Sequence, residues 1–240
     1  MMGALEGRVC AVTGAARGIG RAVALAYAAE GAIVYALDRL EDELPEPTDR
    51  LRPLPLDVTK ADAVAEVFAE IESEAGGADV LVNNAGIIFF KPIEETTAAD
   101  WDGLMAVNLR GPFLCTRAVA KGLKAKGKGA IINVSSNAGV RGGDNEAAYC
   151  ASKFGIEGFS RALAVEFGKH GVAVNTITPG HPVRTAMSEI TYGPENRKIW
   201  KDPGELAPAF VHLALQSPDG IHDRYIRAWD LAQELGEGRA

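Results

Sequence analysis

Tyr149 and Lys153 lie four residues apart at the start of a segment whose pattern predicts a helix, so both occupy one face. A free tyrosine, with a pKa of about 10, is a poor base at neutral pH. An ammonium held beside it favours the phenolate, and the pair can then carry a proton to or from a substrate oxygen. Ser135 and Ser136 follow the apolar run 130–134. A hydroxyl at the carboxyl end of a strand can hydrogen-bond a carbonyl as negative charge develops on it. Position alone leaves open which serine acts, although alternation along the strand turns Ser135 elsewhere. Asn108 precedes Gly111-Pro112 by one helical turn. Pro112 has no N–H, so the Asn108 carbonyl loses its intrahelical partner, and a kinked helix there can hold a water.

A second group of residues suits phosphate. The run 9–13 leads into Gly14-Ala15-Ala16-Arg17-Gly18-Ile19-Gly20 and then an apolar helix. Glycines at a strand-to-helix turn let backbone approach a pyrophosphate, which the helix N-terminus stabilises. Asp38 ends the next apolar run, 18 residues after Gly20, where a carboxylate can accept both ribose hydroxyls of an adenosine. That carboxylate repels a 2′-phosphate and favours NAD(H). Arg17 and Arg39 pull the other way, because either can pair with that phosphate. A fixed carboxylate outweighs two solvated arginines, and NAD(H) is the expected cofactor.

These residues need a frame that gathers them. Short β-branched runs at 8–13, 32–37, 79–82, 130–134 and 172–177 read as buried strands. Between them, 19–30, 61–75, 98–121, 149–169 and 205–215 read as helices. Such alternation predicts an α/β fold: a doubly wound parallel sheet with helices on both faces. No repeat, linker or composition break divides the chain, so 1–240 reads as one domain. The run 52–57 carries Pro53 and Pro55, which cannot donate to a ladder and belong on a sheet edge. In the strand order 3-2-1-4-5-6 the third strand is that edge. The acidic stretch 41–50 reads as a solvated loop or a very short helix.

The chain resembles the short-chain dehydrogenase/reductase family in its compact single-domain form. The resemblance covers roughly residues 7 to 215 and rests on 13–20 (TGxxxGxG spacing), Asp57-Val58, Asn83-Asn84-Ala85-Gly86, Asn108, Ser136, Tyr149-x-x-x-Lys153 and Pro179-Gly180. It implies a Rossmann-like fold and an oxidoreductase that moves a hydride between a nicotinamide cofactor and an alcohol or carbonyl. The family spacing, 13 residues before the tyrosine, selects Ser136 over Ser135. The resemblance further implies that Asp57 and Val58 contact adenine and that Asn84, Ala85 and Gly86 lie along the middle of the cofactor. It places Asn108 in a water-mediated proton relay to Lys153. Pro179 and Gly180 border the nicotinamide, and Val183 and Thr185 contact its carboxamide and phosphates. One extra residue separates Pro179-Gly180 from that Val-x-Thr, which leaves His181 either facing substrate or exposed.

The family pattern breaks down after residue 219. In place of the Thr-Gly pair and glycine-rich ending stands Gly220-Ile221-His222-Asp223-Arg224, then a strand candidate at 224–228 and a tail at 231–240. The resemblance implies a homodimer or homotetramer built on the central helices, and the departure after residue 219 falls on its C-terminal interface. Substrate is expected to meet 138–146 and a short segment at 186–202 holding Met187, Tyr192 and Trp200, which suits a modest alcohol or carbonyl. A dinucleotide sensor or scaffold needs only the glycine turn and Asp38, so the full Asn108–Ser136–Tyr149–Lys153 set argues for an enzyme. A cofactor-free lyase or dehalogenase fits an intact glycine turn poorly.

Bulk composition closes off other classes. The hydrophobic and charged fractions, 47% and 24%, are those of an ordinary globular chain, not of a disordered or fibrous one. A net charge of −7 with no basic patch argues against nucleic acid and anionic membrane partners. Three dispersed cysteines and four histidines without HxxxH spacing predict neither a disulfide framework nor a metal site. The opening residues lack the basic and apolar regions of a signal peptide, and no run is long enough to span a bilayer, so a cytoplasmic location is expected. Glycine is in excess, at 27 residues, and the excess sits largely at predicted strand ends.

Overall fold

A computed structural model describes residues 3–191 and 193–237. Seven parallel strands form one sheet in the order β3-β2-β1-β4-β5-β6-β7. They are β1 (Val9–Thr13), β2 (Ile33–Asp38), β3 (Leu51–Pro55), β4 (Val80–Asn83), β5 (Gly129–Val134), β6 (Val172–Thr178) and β7 (Tyr225–Arg227). Every residue of β1, β4 and β6 is buried, as expected of a parallel sheet covered on both faces. Pro53 and Pro55 lie on β3 at the edge, in register with Ala36 and Asp38 of β2, so their missing N–H groups cost the ladder nothing on the open side. The strand order reverses between β1 and β4, which opens a crevice at the carboxyl edge.

Alternating side chains feed two cores. On one face Cys10, Val12, Val34, Val82 and Ile132 pack beneath α1 (Gly18–Ala29), α7 (Ala207–Ala214) and α8 (Ala228–Glu237). On the other, Ala11, Tyr35, Leu81, Ile131 and Val174 meet α2 (Ala61–Ala75), α4 (Gly111–Lys126) and α5 (Ala147–Gly168). Tyr27 of α1 and Phe210 of α7 are fully buried against each other, and the Tyr27 hydroxyl donates to the Phe210 carbonyl at 2.9 Å. Burying such side chains contributes about 1.5–3 kcal/mol each. One polar chain runs through the second core. Asn83 Nδ2 donates to Asn133 Oδ1 at 2.8 Å and to Thr116 Oγ1 at 3.2 Å, and Asn133 Nδ2 donates to Ser160 Oγ at 2.8 Å. It fixes β4, β5, α4 and α5 in mutual register.

Three expected elements take a different form. The helix expected over 98–121 is two, α3 (Ala98–Met105) and α4, joined by a π-helical turn at Ala106–Arg110. Pro112 cannot donate to the preceding turn, and the Gly111 N–H reaches back five residues to the Ala106 carbonyl instead. The helix expected at 205–215 starts as a 3-10 turn (Pro203–Leu206) capped by Asp202 and Glu205, because Pro208 favours a fresh helix start at Ala207. The last strand covers only Tyr225–Arg227, and the tail is helical: α8 starts on the next residue. The stretch 41–50 holds one short 3-10 turn at Glu41–Glu43.

Candidate active site

The glycine turn is crowded from behind and open in front. A side-chain carbon on Gly20 would stand 2.1 Å from the Gly14 carbonyl oxygen, and one on Gly14 would stand 2.8 Å from Ala85 Cα. Gly14 and Gly18 also adopt φ values of +68° and +58°, which favour glycine. Asn84 Nδ2 donates to the carbonyls of Thr13 and Gly14 at 2.9 and 3.0 Å, so the end of β4 holds the turn in shape. Thr13 Oγ1, which sequence reasoning passed over, accepts from the N–H groups of Asn84 and Ala85. Arg17 caps α1 in extended conformation without a side-chain cap bond, its guanidinium 3.9 Å from the Glu43 carboxylate. Ile19 packs half-buried on the first core.

Asp38 ends β2 beside this turn. Its carboxylate accepts from the N–H groups of Ala16 and Leu40, both at 3.0 Å, which fixes the charge at the lip of the crevice. Each oxygen keeps a further lone pair for an incoming hydroxyl. The Leu56 N–H donates to the Asp38 carbonyl and ties in the next loop. There Asp57 accepts from the Thr59 N–H and hydroxyl at 2.9 and 2.7 Å. Burial pushes the Asp57 carboxyl up, but those bonds, with Lys60 and Arg39 nearby, hold it below its ordinary value. Val58 is buried against the start of α4, so close that a Cβ on Gly111 would stand 2.9 Å from it.

Tyr149 and Lys153 lie in the first turns of α5 and both are buried. The Lys153 ammonium donates to the Val134 carbonyl at 2.8 Å and sits 5.7 Å from the centre of the Tyr149 ring. Burial lowers Lys153 to about 8, against the opposing pull of Glu157. Ser136 is half-buried where β5 gives way to a 3-10 turn (Asn137–Gly139), and its Oγ accepts from the Ala138 N–H at 3.2 Å. Ser135 points inward: it is buried, and its Oγ has no partner among the described residues. Tyr225 on β7 supports the serine loop, its hydroxyl donating to the Ser136 carbonyl and Asn137 Oδ1 at 3.4 and 3.3 Å.

Asn108 occupies the centre of the π-helical turn. Its side chain accepts from the Ile87 N–H and donates to the Ile87 carbonyl, both at 2.9 Å, and donates to Ser152 Oγ at 3.2 Å. The sequence reading dealt with its carbonyl; the side chain's clamp on the loop after β4 was not legible there. That clamp places Gly86 beside Asn108 and Lys153. A Cβ on Gly86 would lie 3.5 Å from Asn108 Oδ1 and 3.9 Å from Lys153 Nζ. Ile88, Phe89 and Cys150 pack around Tyr149 with Leu104, Ala138 and Ala148, an apolar wall also absent from the sequence reading.

The Pro179-Gly180 turn is held from the C-terminal side. The Trp229 N–H donates to the Pro179 carbonyl at 3.0 Å, and the Arg227 guanidinium donates to the Gly180 carbonyl at 2.8 Å. Val183 is buried and bridges to Lys201, and Thr185 comes to rest against Gly18 of the glycine turn. Thr185 Oγ1 also caps α6 (Ala186–Thr191), accepting from the Ser188 N–H at 3.1 Å. His181 is half-buried with its ring 5.1 Å from that of Trp229, and the Lys201 ammonium lies 4.5 Å over the same indole. Of the expected substrate segment, Met187 and Trp200 are half-buried, while Tyr192 lies outside the described residues.

The glycine turn, Asp38, Gly86 and the Thr185 segment thus form a cradle along the carboxyl edge, where close backbone approach suits a dinucleotide. Its far end reaches Tyr149, Lys153 and Ser136. Among the described residues no group of three or more His, Cys, Asp or Glu can hold a metal, and no helix is long and apolar enough to cross a membrane.

Comparison with known proteins points to one family. Residues 8–194 match the family model described as short chain dehydrogenase. A D-threitol dehydrogenase from Mycolicibacterium smegmatis is 40% identical over 225 residues, covering 88% of this chain and 86% of that one. A 3beta-hydroxysteroid dehydrogenase from Mediterraneibacter gnavus is 41% identical over 219 residues, 83% of this chain and 79% of its own. Among solved structures, one from Beutenbergia cavernae, assigned as an NAD(P)-dependent gluconate 5-dehydrogenase and holding NADP at low occupancy, superposes with a TM-score of 0.83. It is 33% identical, over 95% of this chain and 98% of that one.

Proposed function

The chain belongs to the short-chain dehydrogenase/reductase family, and on that basis we propose that it interconverts an alcohol and a carbonyl, with Tyr149 handling the proton. One observation carries this reading: the dinucleotide cradle and the acid/base pair meet at Gly86, within reach of Lys153 Nζ. The cofactor, when bound, supplies or accepts the hydride. Every other part falls to the chain's own residues. Lys153, fixed by the Val134 carbonyl, presents its charge to Tyr149 and favours the phenolate. Ser136 holds the substrate oxygen, and Asn108 keeps the loop carrying Gly86 in place. Asn84, Ala85, Val183 and Thr185 line the cradle, with Asp57 and Val58 at its adenine end.

The fixed Asp38 carboxylate favours NAD(H), although the Beutenbergia cavernae protein holds NADP. The named relatives act on D-threitol, a hydroxysteroid and, as assigned, gluconate. The apolar wall of Ile88 and Phe89 beside Tyr149 suits an alcohol or carbonyl of modest size. A groove on the outer face of α4 and α5, lined by Met105, Leu109, Phe113 and Phe159, suits pairing of two copies, and Cys10, Cys115 and Cys150 are free thiols, which suits a reducing compartment such as the cytoplasm.

The test is Tyr149→Phe, assayed by NADH absorbance against a panel of alcohols, sugars, hydroxy acids and ketones. Turnover should fall by about a hundredfold or more while NAD(H) still binds in calorimetry. Undiminished turnover, or a wild-type protein that binds dinucleotide and turns over nothing in the panel, would sink the reading.

A further inference from the structure

Glu157 lies one helical turn beyond Lys153 and two beyond Tyr149, so the three form a stripe along α5. It is a carboxyl group in a place where such groups are rarely found, with only 7% of its surface exposed. Its Oε2 accepts from Thr176 Oγ1 at 2.9 Å, whereas Oε1 has no partner among the described residues. A small polar cavity adjoins it, of about 10 Å³, with room for one water, lined also by Ser160, Arg161, Asp223, Arg224 and Tyr225. Lys153 is equally hidden, and its ammonium donates to a neutral carbonyl, that of Val134, and not to an acid. Two buried titratable groups, an acid and a base, thus stand a turn apart, each without an ion pair among the described residues.

We propose that Glu157 is the counter-charge of the acid/base pair, a positioning residue whose buried carboxylate keeps Lys153 charged, and the Tyr149 phenolate favoured, at neutral pH. The inference rests on the assignment of Tyr149 and Lys153 given above. The physical need is direct, because burial drives a lysine toward its neutral form, and a nearby negative charge opposes that. Both effects act on Lys153, with burial the larger and Glu157 opposing. The same carboxylate reaches β7, where Tyr225 is raised first by burial and then by Glu157. Other groups face this region from each neighbouring element: Arg161 on α5, Thr176 on β6, Asp223 and Arg224 before β7, and Ser135 after β5. Arg141 and Arg227 act on Tyr225 from the far side. Asn108 and Gly86, which face Lys153, are uncharged.

Glu157→Gln keeps the shape and removes the charge. Lys153, labelled at Cε and followed by carbon NMR in the protein without substrate, should lose its proton about one pH unit lower than in wild type. One unit corresponds to about 1.4 kcal/mol of interaction between the two groups. The alkaline limb of the kcat/KM profile should move down by the same amount, and Glu157→Asp, which restores the charge, should largely undo both changes. A Lys153 titration in Glu157→Gln that superimposes on wild type overturns the proposal. Should Glu157→Gln not fold, the wild-type carboxyl signal decides: a Glu157 still protonated at pH 7 overturns the proposal, and an ionised one supports it. Because the NMR titration needs no turnover, it can fail or succeed independently of the proposed reaction.

Discussion

Replacing Asp38 by Asn removes one negative charge at a fixed point and, because an amide keeps only one acceptor oxygen, gives up one of the two backbone N–H bonds. The carboxylate is pinned by two N–H donors at 3.0 Å, so its distance to a 2′-phosphate on the ribose cannot relax much. At about 5 Å, a unit charge and a phosphate of charge near −2 repel by about 1.7 kcal/mol in water and about 6.6 kcal/mol at an effective dielectric of 20. Asp38 is half-buried, so the lower end applies, about 2 kcal/mol, or roughly thirtyfold in kcat/KM for NADP(H). NAD(H) should lose about tenfold, since an amide accepts less strongly from the ribose hydroxyls than a carboxylate does. Arg17 and Arg39, both exposed, then become available to the phosphate. The assay is kcat/KM with each cofactor in wild type and Asp38→Asn, at low and high salt. The ratio of NADP(H) to NAD(H) efficiency should rise by at least about thirtyfold, and by less at high salt. A ratio that stays within threefold, or a wild type that already prefers NADP(H), refutes the reasoning.

Two further substitutions probe the frame. Asn108→Ala leaves the Ile87 N–H, the Ile87 carbonyl and Ser152 Oγ without their partner; at about 1 kcal/mol each it should cost roughly 3 kcal/mol in denaturant unfolding and reduce kcat more than cofactor affinity. A loss below about 1 kcal/mol would show that the clamp is not needed. Asp100, at the capping box of α3, is held down to about 2 by Lys91 and Thr97. A carboxyl depressed in the folded state contributes stability that is complete above its unfolded value, near pH 4, and is lost as pH falls toward 2. Asp100→Asn should therefore be less stable than wild type at pH 7, with the gap narrowing as pH falls below about 4 and closing only below about 2; a gap that does not narrow in acid would place the effect elsewhere.

Where a side chain's role follows from its own type and spacing, the sequence made it legible. The edge position of β3 could be read from two prolines, and the glycine turn from its spacing and from Asp38 beyond it. Position alone left Ser135 and Ser136 open; the family spacing before Tyr149 singled out Ser136, and alternation turned Ser135 elsewhere. The π-helical turn was not legible, because one extra residue in a turn barely alters an apolar pattern; Pro112 signalled a disturbance but not its form. The Asn83–Asn133–Ser160 chain was hidden for another reason: asparagine at a strand end reads as a turn former until its cross-strand partner is known. Glu157 looks like an ordinary helix surface charge at i+4 from a lysine. Only burial, set by β6 and β7 from far along the chain, shows otherwise.

The hold of β7 and α8 on the Pro179-Gly180 turn bears on the order of assembly. Arg227 and Trp229 close that turn, yet they lie downstream of every residue assigned to chemistry or to the cofactor cradle. A nascent chain that has emerged only through Thr185 already contains each of those residues, but β6 is still an unpaired edge and the serine loop lacks its support from Tyr225. The Pro179-Gly180 turn and the serine loop gain these supports only when β7 and α8 dock. Until its final strand docks the chain presents the ribosome's surroundings with an open sheet edge, the kind of surface that holding chaperones bind.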